Sequence, residues 1–231
     1  MPATETAATP APSIPEARAL QERLRGQVIR EDGFTTVRRV AGTDCAYKDG
    51  GKTVRAVVAV LSFPELRLLE HAVGEAQADF PYIPGFLSFR EVPALLAAFA
   101  KLETPPDLLL CDGQGYAHPR RFGIACHLGV TLGLPSIGVA KSRLIGKHPE
   151  PSPASGSHVP LTDKGEIVGA VLRTKDKVSP LYISIGHRIS LDTAVDYVLR
   201  CCRGYRLPET TRWADGLAGD PAFTLKARRI R

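Results

Sequence analysis

VRRVAGTDCAY (residues 37 to 47), TVRAVVAVLSF (53 to 63) and LRLLEHAV (66 to 73) follow one another, divided only by Lys48-Asp49-Gly50-Gly51 and by Pro64-Glu65. Each run reads as a strand, and the Gly, Pro and Asp between them are turn signals. Connections this short join antiparallel neighbours, so the spacing predicts a three-strand meander.

Downstream the pattern changes. VPALLAAFAKL (92 to 102) predicts a helix, starting near Glu91, and Pro105-Pro106 leads into the apolar strand DLLLC (107 to 111), which delivers Asp112. A second helix is expected over 119 to 132, and SIGVA (136 to 140) then delivers Lys141. Strand, helix, strand in this form is a parallel βαβ unit. A meander followed by βαβ is the order of a ribonuclease H-like core, an α/β fold whose mixed central sheet is flanked by helices. In that topology the first strand and the first parallel strand are neighbours, which brings Asp44 beside Asp112.

The remaining segments fit around this centre. Ser13, Pro15 and Glu16 open a helix carrying Ala17, Leu20, Leu24 and Val28 at helical spacing, expected to end near Arg30. Residues 148 to 160 read as a Pro/Ser/Gly/His-rich loop, and 166 to 173 and 181 to 185 as a later strand pair. Ser190 caps a helix with Ala194, Val195, Val198, Leu199 and Cys202 on one face, Gly204 stops it, and a last short helix follows Pro208.

With 231 residues and 44% hydrophobic content, the chain is long enough for one sizeable core. Residues 15 to 225 are assigned to a single domain between an Ala/Thr/Pro-rich, disordered tail (1 to 14) and a basic tail (226 to 231) read as solvated. A net charge of +6 favours a polyanionic partner without requiring one. The five cysteines lack metal or redox spacing and sit mostly in apolar stretches, as reduced core thiols of a cytoplasmic protein do. The N-terminus has neither a cationic start nor an apolar core, and no run approaches membrane-spanning length, so no membrane association is expected.

The chemistry gathers in the acids. Asp44 lies in an otherwise uncharged strand segment, where a half-buried carboxylate needs a partner; that partner is a metal ion or an arginine such as Arg38 or Arg39. Asp112 ends an apolar strand just before Gly113-Gln114-Gly115, where parallel sheets place functional groups, although turn chemistry alone also puts Asp there. Ser88-Phe89-Arg90-Glu91 matches a capping box, but Pro93 would then fall beyond the first turn and leave a carbonyl unpaired, so Glu91 is read as freer to face the strands. Acids sharing one site repel unless a cation joins them, and carboxylate oxygens are the ligands Mg²⁺ prefers. Lys141, after an apolar strand, is either a phosphate-binding ammonium or an ordinary surface lysine.

PYIPGFLSFRE (81 to 91), DGQGYAHPRR (112 to 121) and GVAKSRL (138 to 144) together resemble endonuclease V, the deoxyinosine-directed repair nuclease family, over roughly residues 15 to 225. The resemblance implies that Asp44, Glu91 and Asp112 hold Mg²⁺, with Mn²⁺ as a substitute. It makes Asp215 a fourth active-site position, filled by His in some members, and gives Lys141 the phosphate. Pro81, Tyr82, Ile83 and Pro84 match the strand-separating wedge, though the same tetrapeptide also suits a rigid loop with Tyr82 as lid. Hypoxanthine shows a carbonyl and an N–H where adenine does not, so a reader needs a donor and an acceptor. Backbone at Gly85, Leu87, Gly113 and Gly138 is expected to supply them, with His118 and Leu144 nearby and Arg120 and Arg121 on phosphates. Thr210 stands where many relatives have proline.

The expected activity is Mg²⁺-dependent hydrolysis of a phosphodiester bond 3′ to inosine in DNA, leaving 3′-hydroxyl and 5′-phosphate ends, by a monomer. DNA carrying inosine or related deaminated bases is the expected partner. Two alternatives stand beside it: an endoribonuclease acting on inosine in RNA, and a non-catalytic binder of structured nucleic acid.

Overall fold

The computed structural model of the chain describes residues 11–220 and 222–224. The expected tails fall largely outside these residues. Helix α1 (Ile14–Arg25) opens at Ser13, whose hydroxyl accepts from the Glu16 N–H while the Glu16 carboxylate accepts in return from the Ser13 N–H, a reciprocal cap. The helix stops at Gly26, short of Arg30, because the chain turns away to meet a distant segment: the Arg188 N–H donates to the Ile29 carbonyl at 2.7 Å.

The three expected meander strands are β1 (Arg39–Lys48), β2 (Thr53–Ser62) and β3 (Leu68–Gln77), paired antiparallel in sequence order. Helix α2 (Leu87–Phe99) leads to β4 (Leu108–Cys111), and helix α3 (Ile124–Leu132) to β5 (Ser136–Ala140). β4 pairs parallel with β1 and with β5, as the βαβ reading requires. Strands β6 (His158–Asp163), β7 (Glu166–Leu172) and β8 (Leu181–His187) complete an eight-stranded sheet in the order β3-β2-β1-β4-β5-β8-β7-β6. Helices α4 (Leu191–Arg200) and α5 (Glu209–Gly219) close the chain, giving the ribonuclease H-like arrangement expected.

Three further boundaries differ from expectation. α2 begins at Leu87, not near Glu91, and the Ser88 capping box does not form: the Ser88 hydroxyl lies 3.1 Å from His127 Nδ1 instead. Pro93 is absorbed inside the helix, at the cost of the bond its missing N–H would have made to the Phe89 carbonyl. α3 begins at Ile124 rather than 119, because Arg121 takes a left-handed φ of +56° and holds residues 118–121 in a tight turn. β6 occupies sequence read in part as loop.

Side-chain alternation along the strands sorts the core into two layers. Ala41, Leu109 and Cys111 face α2, packing with Val92, Leu95 and Leu128. Val40, Leu108, Leu110 and Val139 face the other way, toward Val198, Ala214 and Leu217 of α4 and α5. A third, smaller cluster joins Ala17 of α1 to Phe80, Phe86 and Phe89. Among the described residues no helix is long and apolar enough to cross a membrane. All five cysteines are free thiols, and Cys111, Cys126 and Cys201 are buried.

Candidate active site

The register Thr43↔Cys111 puts the next residues, Asp44 and Asp112, side by side on adjacent parallel strands, and the Asp112 N–H donates to the Thr43 carbonyl at 3.4 Å. Strand alternation turns both toward α5. Their carboxyl groups lie close enough for each to bear on the other's ionisation. Burial, and then the charge of Asp112, push the Asp44 carboxyl up to about 7, with Lys141 pulling the other way. β5 delivers Lys141 to the same face, its Nζ 2.5 Å from Asp112 Oδ2 and 3.8 Å from Asp215 Oδ1. Burial disfavours that ammonium, but the hydrogen bond and charge of Asp112, joined by Asp44 and Asp215, outweigh it and hold its pKa above the usual lysine range.

Asp215 reaches the cluster because α5 lies flat on β1. A Cβ on Gly42 would fall 2.2 Å from the carbonyl carbon of Thr210, so only glycine lets the helix this close. The sequence-predicted fourth acid thus sits at the rim of the site, more than half exposed.

Glu91 arrives from the opposite layer. It projects from α2 near the strand ends and is buried, and burial drives its carboxyl up to about 7. The Tyr47 hydroxyl donates to Glu91 Oε1 at 3.1 Å and partly offsets the shift, while Asp112 adds to it. Three aspartates therefore act on one lysine, with Glu91 adding a fourth acid to the same cavity lining, an excess of acidic groups that a hard divalent cation would relieve. Among the described residues no three Asp, Glu, His or Cys side chains form a preassembled ion cage: Asp44 and Asp112 lie side by side, and Glu91 stands across the strand ends from them.

Beside the acids opens a cavity of about 480 Å³, within the range typical of small-ligand clefts. Its lining brings Asp44, Glu91, Asp112 and Lys141 together with Tyr82 through Gly85, Leu87, Gly113, His118 and Leu144. Tyr82 is 73% exposed at the mouth. Asp44 and Asp112, far from the aromatic loop in sequence, thus share one opening with it.

Besides Asp215, four expected site residues lie outside the cavity lining. Pro81 is not among the cavity walls. Gly138 sits behind them in β5, where a Cβ would meet the Gly115 nitrogen at 2.3 Å; its role is to let the 113–115 turn pack on the sheet. Arg121, expected on phosphate, is turned into the protein. Only 6% exposed, it is held by ion pairs to Asp163 at 2.8 Å and Glu166 at 2.9 Å. Arg120 also turns inward, its Nε 2.5 Å from Gln21 Oε1. Conversely, Gln114, Ser142 and Arg143 line the cavity without having been singled out, and Tyr47 contacts Glu91. Arg143 lies two residues past Lys141 in a basic segment, a signal that was available; nothing local marks Tyr47.

Residues 22–216 match the family model for endonuclease V. An endonuclease V from Rippkaea orientalis is 55% identical over 218 residues, covering 94% of this chain and 95% of that protein. The crystal structure of endonuclease V from Streptomyces avermitilis superposes with a TM-score of 0.87 at 44% identity, over 91% of this chain and 94% of that one. Similar too, at 30% identity and a TM-score of 0.79 over 90% of this chain and 97% of the other, is the Ciona intestinalis endonuclease V in complex with a 24mer DNA containing an inosine followed by a ribo-adenosine.

Proposed function

The chain belongs to the endonuclease V family, and on that ground we propose that it is a repair endonuclease that recognises deoxyinosine in DNA and hydrolyses a phosphodiester bond 3′ to it. The observation that carries this reading is the junction of an acid cluster with a cavity walled by an exposed aromatic loop. One part can cut and the other can hold a base drawn out of the stack. The inosine-bearing DNA in the Ciona complex supports the choice of base.

Nuclease chemistry fits a divalent cation, which supplies a more acidic water and neutralises charge on the phosphate. Mg²⁺ is the proposed ion, with Mn²⁺ substituting. Asp44 and Asp112, already side by side, would hold it; Glu91, buried and oriented by Tyr47, would hold its water. Lys141 places an ammonium beside Asp112 in the cavity lining, where it can pair with a phosphate oxygen. Asp215 adds negative charge at the rim and orients Lys141. Tyr82 and Ile83 offer surface to fill the gap left by the extruded base, and the backbone at Gly85, Leu87 and Gly113 lies where it can read the base edge. His118 and Leu144 close the wall. A monomer in the cytoplasm is the setting proposed.

End-labelled DNA and RNA strands, each with one inosine or none, incubated with Mg²⁺ or with chelator, test the reading. Mg²⁺-dependent cutting of the inosine DNA strand alone is expected. Cutting of RNA only would reassign the substrate, and tight binding without cutting under any condition would leave a binding protein.

A further inference from the structure

The loop bearing Tyr82 has a guarded base. Its Phe80 stacks on Phe89, and both pack with Phe86 and with Ala17 of α1 in a cluster separate from the two main cores. Above that cluster one backbone atom, the Gly85 carbonyl oxygen, receives three side-chain donors. Gln21 Nε2 lies 3.0 Å from it, His118 Nε2 3.1 Å and Arg120 Nη2 2.5 Å.

Each donor is itself fixed. The Gln21 amide is fully buried on α1 and also donates to the Phe122 carbonyl, while its oxygen accepts from Arg120 Nε. The Arg120 guanidinium lies over the Phe86 ring, 4.1 Å from its centroid. His118 Nδ1 accepts the Arg120 N–H at 3.2 Å, which leaves its proton on Nε2, pointed at Gly85. Burial, with Arg120 next, lowers the His118 pKa to about 4, so the ring stays in this neutral, singly protonated form. Gly85 itself has φ +82°, and a Cβ there would meet Arg120 Nη2 at 2.9 Å. A carbonyl has two lone pairs; three donors on one is more than local folding needs.

We propose that Gln21, His118 and Arg120 form a positioning clamp that sets the discrimination of the enzyme, by fixing the Gly85–Phe86 peptide between the wedge at Tyr82 and the start of α2. This rests on the reading of residues 82–87 as the wall that inspects the base. The cation of Arg120 is thereby committed to the protein rather than to DNA, and the clamp reaches from α1, outside the cavity, to its lip.

Three variants test it. Gln21→Met removes the buried amide without changing charge, Arg120→Lys keeps the cation but cannot span Gln21 and Gly85 together, and Arg120→Met removes the charge. Single-turnover cutting is measured on strands carrying inosine, guanine or adenine at one position. Binding to the same strands in chelator is followed across salt concentration, and amide exchange of residues 81–87 is recorded. In every variant the preference for inosine over guanine should fall about 10- to 100-fold, the effect of a loosened inspecting wall. Loop exchange should speed up, and pairing Gln21→Met with Arg120→Lys should be no worse than the poorer single change, because both open one clamp. The salt slope should stay that of the wild type.

A drop of about one in that slope for Arg120→Met, with equal loss on all strands, would mark a phosphate contact and overturn the clamp. So would an unchanged base preference in Arg120→Lys, which is partly exposed and decides the matter even if Gln21→Met does not fold. A wild type with no preference for inosine would instead overturn the functional reading beneath it.

Discussion

Asp44, Asp112 and Lys141 owe their common direction to alternation along three neighbouring strands, which sends one parity of residues toward α5 and the other toward α2. Each carboxylate is acceptable only because another group answers its charge, and in Asp44 the answer is incomplete, hence its rise to about 7. Asp44→Asn or Asp112→Asn should lower single-turnover cutting of an inosine strand by about 1000-fold, the several kcal/mol that a poorly held cation forfeits, while affinity for the same strand in chelator holds. Retained turnover in either variant would remove these residues from the chemistry. At this scale the sequence was informative where function follows an apolar run, as at Asp112 and Lys141. It misled at Arg121, because the acids that neutralise it, Asp163 and Glu166, lie more than 40 residues away and no local pattern announces them.

Elements carry those residues into range. The meander and the βαβ unit were legible because short turns and long apolar runs leave few pairings, whereas β6 was partly hidden: Pro160 sits inside it and the preceding segment is rich in turn formers. The start of α2 was missed because Ser88 spends its hydroxyl on His127 rather than on a cap, a tertiary choice invisible locally. Two predictions belong here. Tyr82→Ala strips the exposed ring from the loop tip and should reduce the preference for inosine over adenine about tenfold or more, as loss of one base-stacking surface does; competition cutting of mixed strands measures it. Gly42→Ala pushes a methyl into the Thr210 backbone and should cost about 1–3 kcal/mol by denaturant melting. Its residual cutting should fall further than its stability, since α5 carries Asp215.

Across the whole molecule, buried imidazoles couple the fold to pH. Burial lowers the His127 pKa from 6.5 to about 4, so the folded state resists a proton that the unfolded chain accepts at about 6.5. Its contribution is complete above that value and disappears as the pH falls toward 4, a loss of about 3 kcal/mol. The raised carboxyls of Asp44 and Glu91 act in the opposite sense over the same range, so the test is a difference: urea midpoints of the wild type should fall relative to those of His127→Leu as the pH drops from 6.5 to 4, and parallel curves would rule the coupling out.

The sheet's two outermost strands are β3 and β6, and Lys147 bridges the outer side of β6 at Thr162. β3 carries Glu70, His71 and Glu75, and β6 carries Pro160. Charge along one border and an imino acid along the other leave a visiting strand nothing to zip onto. Concentrated solutions should accordingly stay clear and resist fibril formation.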